Sequence, residues 1–311
     1  MGDSTETIRR LEENVGRALF GKPEVVRLAI IGLVARGHLL IEDVPGVGKT
    51  TLASGLARSI GASFQRIQFT SDMLPSDVLG VSVWEPKRGE FVFKPGPLFT
   101  NIVLADEINR TTPKTQSALL EAMNEAQVSL DHSTYPLPRP FMVLATQNPR
   151  EYEGTFPLPE SQLDRFLLRI RIGYPGAADE KAVLRGDTAP AALAPVVEAD
   201  AVLALQEAAD RVRVEESVLD YLMALVTATR RSPLLALGVS PRGSLALLRA
   251  ARARALADGR DYLLPDDIKH LAVPALAHRV IVKGSLAGSA AGGMDGESAV
   301  AAILQDVPVP R

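Results

Sequence analysis

The first half of the chain alternates short apolar runs with segments of helical periodicity. Five of these runs are too short for a buried helix and are typical of strands covered on both faces. They occupy residues 38–41, 64–69, 102–105, 141–148 and 166–172. Because helical or inserted segments separate them, the pattern predicts an α/β fold with a five-stranded parallel sheet.

Two insertions between these runs alternate apolar and polar residues on either side of a turn. The first, "GVSVWEPKRGEFVFKPG", lies between the second and third predicted strands, and the second, "AQVSLDHSTYPLPRPF", precedes the fourth. Such alternation around a turn predicts a β-hairpin in each insertion. A decorated surface loop is the alternative for both.

The pattern changes after "IGYPG" at residues 172–176. Strand-like runs stop there, and helical patterns rich in Ala, Leu and Arg continue to about residue 279. We therefore predict an α/β domain at residues 1–174 and a small helical domain at 175–311. Within the second, Ser240-Pro241 is a strong helix start. The Gly-rich stretch 283–296 is predicted to be mobile, and the residues after it to form a short final helix.

Composition excludes several classes of function. The formal net charge of −3 argues against a broad basic surface for nucleic acid. The chain has no cysteine, which excludes disulfides and thiolate metal sites, and its four histidines lack metal-ligand spacing. The most apolar early run, 25–41, contains two arginines and a histidine, so no membrane span is expected. The N-terminus lacks a signal-peptide core, which makes the cytoplasm the expected location.

The stretch "DVPGVGKT" between the first strand and a predicted helix carries the candidate chemistry. It matches the phosphate loop G-x-x-x-x-G-K-[ST] at every fixed position except the first, which is Asp43. Gly46 and Gly48 allow the backbone N–H groups to converge, and Lys49 can reach the β- and γ-phosphates. Thr50 supplies a hydroxyl for Mg²⁺. An inward carboxylate would repel phosphate, so we expect that of Asp43 to face away.

A pair of carboxylates ends the third predicted strand in "VLADEINR". Since the carboxyl ends of parallel strands meet at one edge of a sheet, Asp106 and Glu107 are expected beside the loop. Asp106 would then hold Mg²⁺ together with Thr50, while Glu107 orients and polarises an attacking water. Asn148, at the end of the fourth strand, is expected near the same water and the γ-phosphate.

These motifs resemble those of AAA+ ATPases, and longer strings resemble the MoxR family among them. The strings are "PGVGKT", "LADEINRTTPKTQSALLEAMNE", "ATQNPREYEGTFPLPESQLDRF" and "SPRGSLAL". The resemblance runs from about residue 19 to about residue 280. It implies an AAA+ P-loop domain followed by a helical lid, and a homo-oligomeric ring, usually a hexamer, with ATP bound between subunits.

The resemblance also assigns roles outside the loop. Asn148 matches sensor 1, Arg165 matches the arginine finger, and Arg242 matches sensor 2. Arg242 also breaks a local rule, because a cation in the first turn of a helix opposes the helix dipole. That favours a role in binding the nucleotide phosphates from the lid over a plain surface arginine. Arg110 is left open between a contact with a neighbouring subunit and a local role.

The resulting site has ATP and Mg²⁺ as its ligands. The catalytic candidates are Glu107, Asn148, Arg165 and Arg242, and the candidate metal ligands are Thr50 and Asp106. We assign nucleotide binding to the phosphate loop and two residues ahead of it, namely Phe20, Gly21, Asp43, Val44, Pro45, Gly46, Val47, Gly48, Lys49, Thr50 and Thr51.

The resemblance implies a MoxR-type ATPase that remodels, assembles or matures client proteins. The implied client needs assembly or the insertion of a cofactor or metal, and a von Willebrand A-domain protein would present it. Two other classes stay open. One is an AAA+ motor acting on nucleic acid, which would need a basic pore or a DNA-binding appendage. The other is a non-motor P-loop protein, either a small-molecule kinase or a nucleotide-dependent scaffold.

Overall fold

A computed structural model describes residues 2–87, 89–130, 133–148, 154–185, 193–284 and 294–309. Residues 285–293, which make up most of the predicted mobile stretch, lie outside this description. The strands are β1 (Leu39–Glu42), β2 (Phe64–Gln68), β3 (Gly80–Glu85), β4 (Glu90–Pro95), β5 (Ile102–Asp106), β6 (Gln127–Leu130), β7 (Ser133–Pro136), β8 (Met142–Gln147), β9 (Leu168–Ile170), β10 (Leu235–Leu237) and β11 (Ile281–Val282).

Two of the helices begin where the sequence predicts a start, one at the end of the phosphate loop and one directly after Ser240. The helices are α1 (Gly2–Gly16), α2 (Pro23–Val34), α3 (Lys49–Ser59), α4 (Pro75–Leu79), α5 (Pro113–Glu125), α6 (Glu160–Leu163), α7 (Ala177–Leu184), α8 (Ala199–Asp210), α9 (Glu216–Arg231), α10 (Pro241–Ala257), α11 (Pro265–Leu276) and α12 (Gly296–Asp306). At α10 the predicted cap is present, because the Ser240 hydroxyl accepts a hydrogen bond from the Gly243 N–H at 3.1 Å. The predicted final helix corresponds to α12.

The five predicted strands form one parallel sheet in the order β2-β5-β8-β1-β9. Alternate residues of the strands face two separate clusters of buried side chains. On one face Leu39 and Leu104 pack against helices α1, α2 and α3, and on the other Leu40 and Val103 pack against α5. Burial on both faces explains why the central strands read as continuous apolar runs. The predicted α/β fold is confirmed.

Both insertions form antiparallel hairpins, as predicted. The first pairs β3 with β4, and the second pairs β6 with β7. The two hairpins touch through the stacked rings of Phe93 and Tyr135, whose centroids are 3.9 Å apart. Trp84 and Phe91 make an edge-to-face pair on the first hairpin and are both exposed to solvent.

The C-terminal half departs from the sequence prediction in one respect. It contains a small antiparallel sheet of β10 and β11, where we expected helices alone. The prediction failed because strands of three and two residues are too short for a period of two to emerge. The buried core of the parallel sheet continues through α1 and α2 into α8 and α10. The domain division at residues 174 and 175 therefore stays a prediction.

None of the helices in the described part of the chain has the length and apolarity that a membrane crossing requires.

Candidate functional site

Polar groups gather at two opposite edges of the parallel sheet. The loop edge, where the strands end, carries residues 43–50 after β1, the pair Asp106 and Glu107 at the end of β5, and Asn148 after β8. The arginine edge, where the strands begin, carries Arg165 ahead of β9 and Arg242 in the first turn of α10. A four-residue strand at about 3.3 Å per residue separates the two edges by on the order of 10 Å.

The backbone of residues 43–50 has the shape of a phosphate cradle. Gly46 has φ +83°, and a Cβ built there would have no neighbour within 4 Å. Gly48 has φ +101°, a backbone conformation that residues with side chains rarely adopt, and a Cβ there would lie 2.7 Å from Leu19 Cδ1, which would have to shift. Gly48 precedes α3 and has no side chain to cap it, so the N–H groups of the first turn suit an anionic ligand.

Lys49 and Asp43 contact each other across this cradle. The Lys49 ammonium donates to the backbone oxygen of Asp43 at 2.7 Å. The Asp43 carboxylate turns toward the chain after β9, where one oxygen accepts from the N–H groups of Ile172 and Gly173. Its other oxygen accepts from Val44 N–H at 2.9 Å. Backbone donors therefore engage both carboxylate oxygens.

The pair Asp106 and Glu107 is organised by a threonine on the neighbouring strand. Thr146, buried on β8, donates from its hydroxyl to Asp106 Oδ1 at 2.5 Å. The same hydroxyl accepts from the Glu107 N–H at 2.9 Å. Glu107 has φ 57° and ψ 48°, a left-handed conformation that non-glycine residues seldom adopt and that is concentrated at functional sites. Thr146 thus fixes the backbone turn that presents the glutamate.

Two arginines pair with these carboxylates within the chain. Arg66 on β2 contacts Asp106 Oδ2 at 2.5 Å, and Arg110 Nε lies 2.8 Å from Glu107 Oε2. Arg110 thus makes a local pair with Glu107 in this chain, and its contact with a neighbouring subunit stays a prediction. Both arginines are about half exposed, so each pair can exchange for another partner at low cost.

The arginine edge forms a cationic cavity of about 180 Å³. Its lining includes Arg36, Asn124, Asp164, Arg165, Arg242, Arg249 and Arg279. Burial lowers the pKa of Arg165, and the nearby charge of Arg242 lowers it further. Within the described chain, no group accepts a hydrogen bond from the buried Nε and Nη1 atoms of Arg165. The cavity is therefore suited to an anion supplied from outside the chain.

An aspartate joins the two segments that carry the candidate arginines at this edge. The Asp164 carboxylate accepts from Arg279 Nε at 2.7 Å and from the Ser240 hydroxyl at 2.8 Å. Asp164 directly precedes Arg165, and Ser240 caps the helix that carries Arg242. Arg279 is buried, and burial lowers its pKa to about 10 although the Asp164 carboxylate opposes that effect.

Comparison with known proteins identifies the family to which this chain belongs. The profile of the ATPase family associated with various cellular activities (AAA) matches residues 38–168, and that of the AAA lid domain matches residues 227–303. The chain is 40% identical to "Chaperone MoxR1" of Mycobacterium tuberculosis, over 98% of this chain and 83% of that protein. The chain belongs to the MoxR family of AAA+ ATPases.

Two further relatives extend along nearly the full length of this MoxR-family chain. It is 50% identical to the uncharacterized protein YeaC of Bacillus subtilis, over 96% of this chain and 93% of the relative. The crystal structure of a putative ATPase from Cytophaga hutchinsonii matches with a TM-score of 0.90 and 38% identity. That match covers 99% of this chain and 96% of the solved one.

The fold brings most, but not all, of the predicted site residues together. Lys49, Asp106 and Glu107 belong to the loop edge, as expected from the parallel strands. Arg242 does not approach the phosphate loop of its own chain, because Ser240 binds Asp164 at the arginine edge. A role for Arg242 in binding nucleotide phosphates stays a prediction.

The two residues assigned ahead of the loop have different surroundings. Gly21 lines a cavity of about 370 Å³ together with Leu19 and Pro23, next to the phosphate loop that Leu19 contacts. Phe20 is half-buried and is not part of that lining. A role in nucleotide binding therefore stays a prediction for both residues.

The donor set at the loop edge fits Mg²⁺ that arrives with phosphate. Thr50 and Asp106 offer a hydroxyl and a carboxylate, the hard oxygen ligands that this ion prefers. No group of three acidic or histidine side chains within the described residues could hold a metal ion by itself. Mg²⁺ usually keeps several waters and substrate oxygens, so two protein ligands are sufficient.

Sequence motifs gave no indication of Thr146, Arg66 or Asp164. Thr146 lies two residues before the predicted sensor Asn148, and Arg66 belongs to a strand recognised by its apolar pattern alone. The partners of Thr146 and Arg66 are set by the pairing of β8 and β2 with β5. A signal was present in the expectation that the carboxyl ends of parallel strands meet at one edge of the sheet, since it brings the ends of β5 and β8 together.

Proposed function

We propose that this protein hydrolyses ATP at sites shared between neighbouring subunits of a ring, most simply a hexamer. The observation that carries the proposal is the place of Arg165 and Arg242. Both lie at the arginine edge in one cationic cavity, across the sheet from their own phosphate loop. A neighbouring subunit that presents its loop edge to this cavity would supply the missing anion, a γ-phosphate.

The chain's own residues divide the work at the loop edge. Lys49 exchanges the backbone oxygen of Asp43 for the β- and γ-phosphates, while the N–H groups at the start of α3 hold the phosphate oxygens. Glu107 leaves Arg110 and accepts a proton from the attacking water, which Asn148 helps to orient. Thr146 keeps the glutamate's backbone turn in place. Thr50 and Asp106 would hold Mg²⁺, which neutralises developing phosphate charge when bound.

We propose that hydrolysis drives remodelling of a client protein. The family relationship and the name of the mycobacterial relative, a chaperone, support this role. A client that needs assembly, or the insertion of a cofactor or metal, and a von Willebrand A-domain partner belong to the same proposal. Dependence on ATP favours action in the cytoplasm.

The shared site is tested by mixing two inactive variants. Arg165→Ala subunits should bind ATP but hydrolyse it about 10³-fold more slowly, the lower end of arginine-finger effects. Glu107→Gln subunits keep the arginine but lack the base. When mixed under conditions in which subunits exchange, they should recover part of the parent rate, because an Arg165→Ala site can use the arginine of a Glu107→Gln neighbour.

One control variant tests whether the recovery comes from the Arg165→Ala sites. Lys49→Ala subunits carrying Arg165→Ala should give no recovery, since their own loops cannot hold ATP. Recovery that fails despite demonstrated subunit exchange, with turnover independent of protein concentration, would overturn the shared site. Stimulation by DNA, or phosphorylation of a metabolite by a persistent monomer, would instead support one of the two other function classes.

A further inference from the structure

The chain segment that leaves the parallel sheet is held by residues next to the phosphate loop. We call this segment, Ile172, Gly173 and Tyr174, the linker, because it joins β9 to α7. Asp43 Oδ2 accepts from the Ile172 N–H at 2.7 Å and from the Gly173 N–H at 2.6 Å. Asp43 is 9% exposed, so these bonds are sheltered from water.

A second contact holds the linker from the segment ahead of α2. The Lys22 ammonium donates to the Tyr174 carbonyl at 2.7 Å. One residue earlier, Gly21 has φ +68°, and the Asp179 carboxylate of α7 occupies the space where a Cβ would lie. The linker and the start of α7 therefore contact two segments of the predicted nucleotide site, the phosphate loop at Asp43 and the segment at Gly21 and Lys22.

Asp43 joins these contacts to the phosphate loop through its own backbone. Its carbonyl oxygen accepts from Lys49 at 2.7 Å, while its carboxylate accepts from the linker. Lys49 is the residue that must turn toward the phosphates when nucleotide enters a phosphate loop. When Lys49 turns away, the Asp43 carbonyl loses its hydrogen-bond donor, and the surroundings of this peptide group change. The Asp43 carboxylate then transmits the change to the linker.

We infer that Asp43 is a positioning residue that couples occupancy of the phosphate loop to the linker, and through the linker to α7. The inference rests on the proposed function, since it requires ATP in the loop. Glycine, which phosphate loops usually have at this position, has no carboxylate and cannot make the connection. In this chain a departure from the loop consensus supplies the linker with two charge-assisted hydrogen bonds.

Hydrogen exchange of the linker amides measures this coupling directly. The Glu107→Gln chain, which should hold ATP without consuming it, serves as the reference and is compared with Glu107→Gln carrying Asp43→Asn or Asp43→Gly. ATP should change the exchange rate of the Ile172 and Gly173 amides at least about threefold in the reference. The change should shrink with Asp43→Asn, which keeps one acceptor oxygen, and vanish with Asp43→Gly.

The ATP affinity and a matched variant distinguish a loss of coupling from a general loosening of the linker. Calorimetry gives the ATP affinity of each Asp43 variant, and hydrogen exchange is compared at ATP concentrations that saturate each chain, so that a change in affinity is not read as a loss of coupling. Lys22→Met also frees the linker but leaves the loop untouched. It should raise linker exchange with and without ATP while preserving the ATP-dependent difference.

The outcomes that overturn the inference are distinct from failure of the proposed function. If the reference chain binds ATP and its linker amides do not respond, or if Asp43→Gly keeps the full response, the coupling is wrong and the ATPase proposal stands. If the reference chain binds no ATP, the proposed function fails and the coupling fails with it.

Discussion

The loop edge and the arginine edge belong to the same sheet but are held by different kinds of contact. At the loop edge, the partners of Asp106 are 40 residues away on adjacent strands, and the paired arginines are about half exposed. At the arginine edge, Arg279 reaches Asp164 across 115 residues and is buried. The first edge can exchange its partners during chemistry, whereas the second depends on the lid remaining docked.

This difference leads to a simple expectation. Variants at the arginine edge should change stability strongly, because buried charges lose their partners there. Variants at the loop edge should change turnover while leaving the free energy of unfolding nearly constant, because their ion pairs are exposed.

The largest stability effect is expected from Asp164→Ala. It leaves the buried Arg279 guanidinium without its carboxylate, which should lower the free energy of unfolding by about 3–5 kcal/mol. Urea unfolding followed by circular dichroism measures the change. Glu6→Ala, which breaks an exposed pair with Arg9 on α1, is the control and should cause no measurable change. Equal stability of the two variants would mean that the arginine edge is no more dependent on its ion pair than the surface.

Acid should weaken the arginine edge through two buried histidines. The His38 ring accepts from Val143 N–H at Nδ1 and donates from Nε2 to the Met123 carbonyl, which fixes it as neutral. Burial lowers its pKa from 6.5 to about 4. Burial and the adjacent charge of Arg279 likewise hold the pKa of His278 well below its usual value.

The sign of the pH effect follows from where each state takes up its proton. Unfolded histidine is protonated below about pH 6.5, whereas folded His38 stays neutral to about pH 4. Stability should therefore be constant above pH 6.5 and fall between pH 6.5 and 4, by roughly 3 kcal/mol for His38. Unfolding curves across this range should flatten with His38→Gln and keep their slope with His270→Gln, which alters an exposed ring. An unchanged slope in the His38 variant would contradict this account.

At the loop edge, Glu107→Gln should slow hydrolysis about a hundredfold or more, the usual size of a general-base effect. That factor corresponds to about 2.7 kcal/mol in the barrier. ATP binding and the urea midpoint should stay near the parent values, since the Glu107 carboxylate is partly exposed. Glu13→Gln, an exposed acid on α1, serves as the control and should keep the parent rate. Parent-like turnover by the Glu107 variant would remove its assigned role.

The smallest effect on turnover is expected at Thr146, which is buried although it lies at the loop edge. Thr146→Val leaves the Glu107 N–H without an acceptor, which, unlike the loss of an exposed ion pair, should lower stability by about 1–3 kcal/mol. Because the glutamate then loses its anchor, turnover should also fall roughly tenfold, which corresponds to about 1.4 kcal/mol in the barrier. Thr146→Ser retains the hydroxyl and should hydrolyse ATP at close to the parent rate. Similar rates for the two variants, measured at saturating ATP, would show that the hydroxyl does not position the glutamate.

Local patterns in the sequence determined the elements that are held by short-range rules. The apolar runs predicted all five strands of the sheet, and the turn residues predicted both hairpins. Ser240 predicted the start of α10, because its cap bond closes within three residues. The loop and the acidic pair were found in the same way, since each is a contiguous motif at a strand end.

Tertiary structure alone decided which distant side chains meet. Asp43 contacts a linker 129 residues away, and Ser240 places Arg242 at the opposite edge from its own phosphate loop. The strands β10 and β11 were likewise missed, because pairing with each other rather than any period of their own makes them strands. Periodicity and spacing report on neighbours along the chain. Hydrogen bonds and ion pairs between segments far apart in the chain depend on how those segments pack in three dimensions.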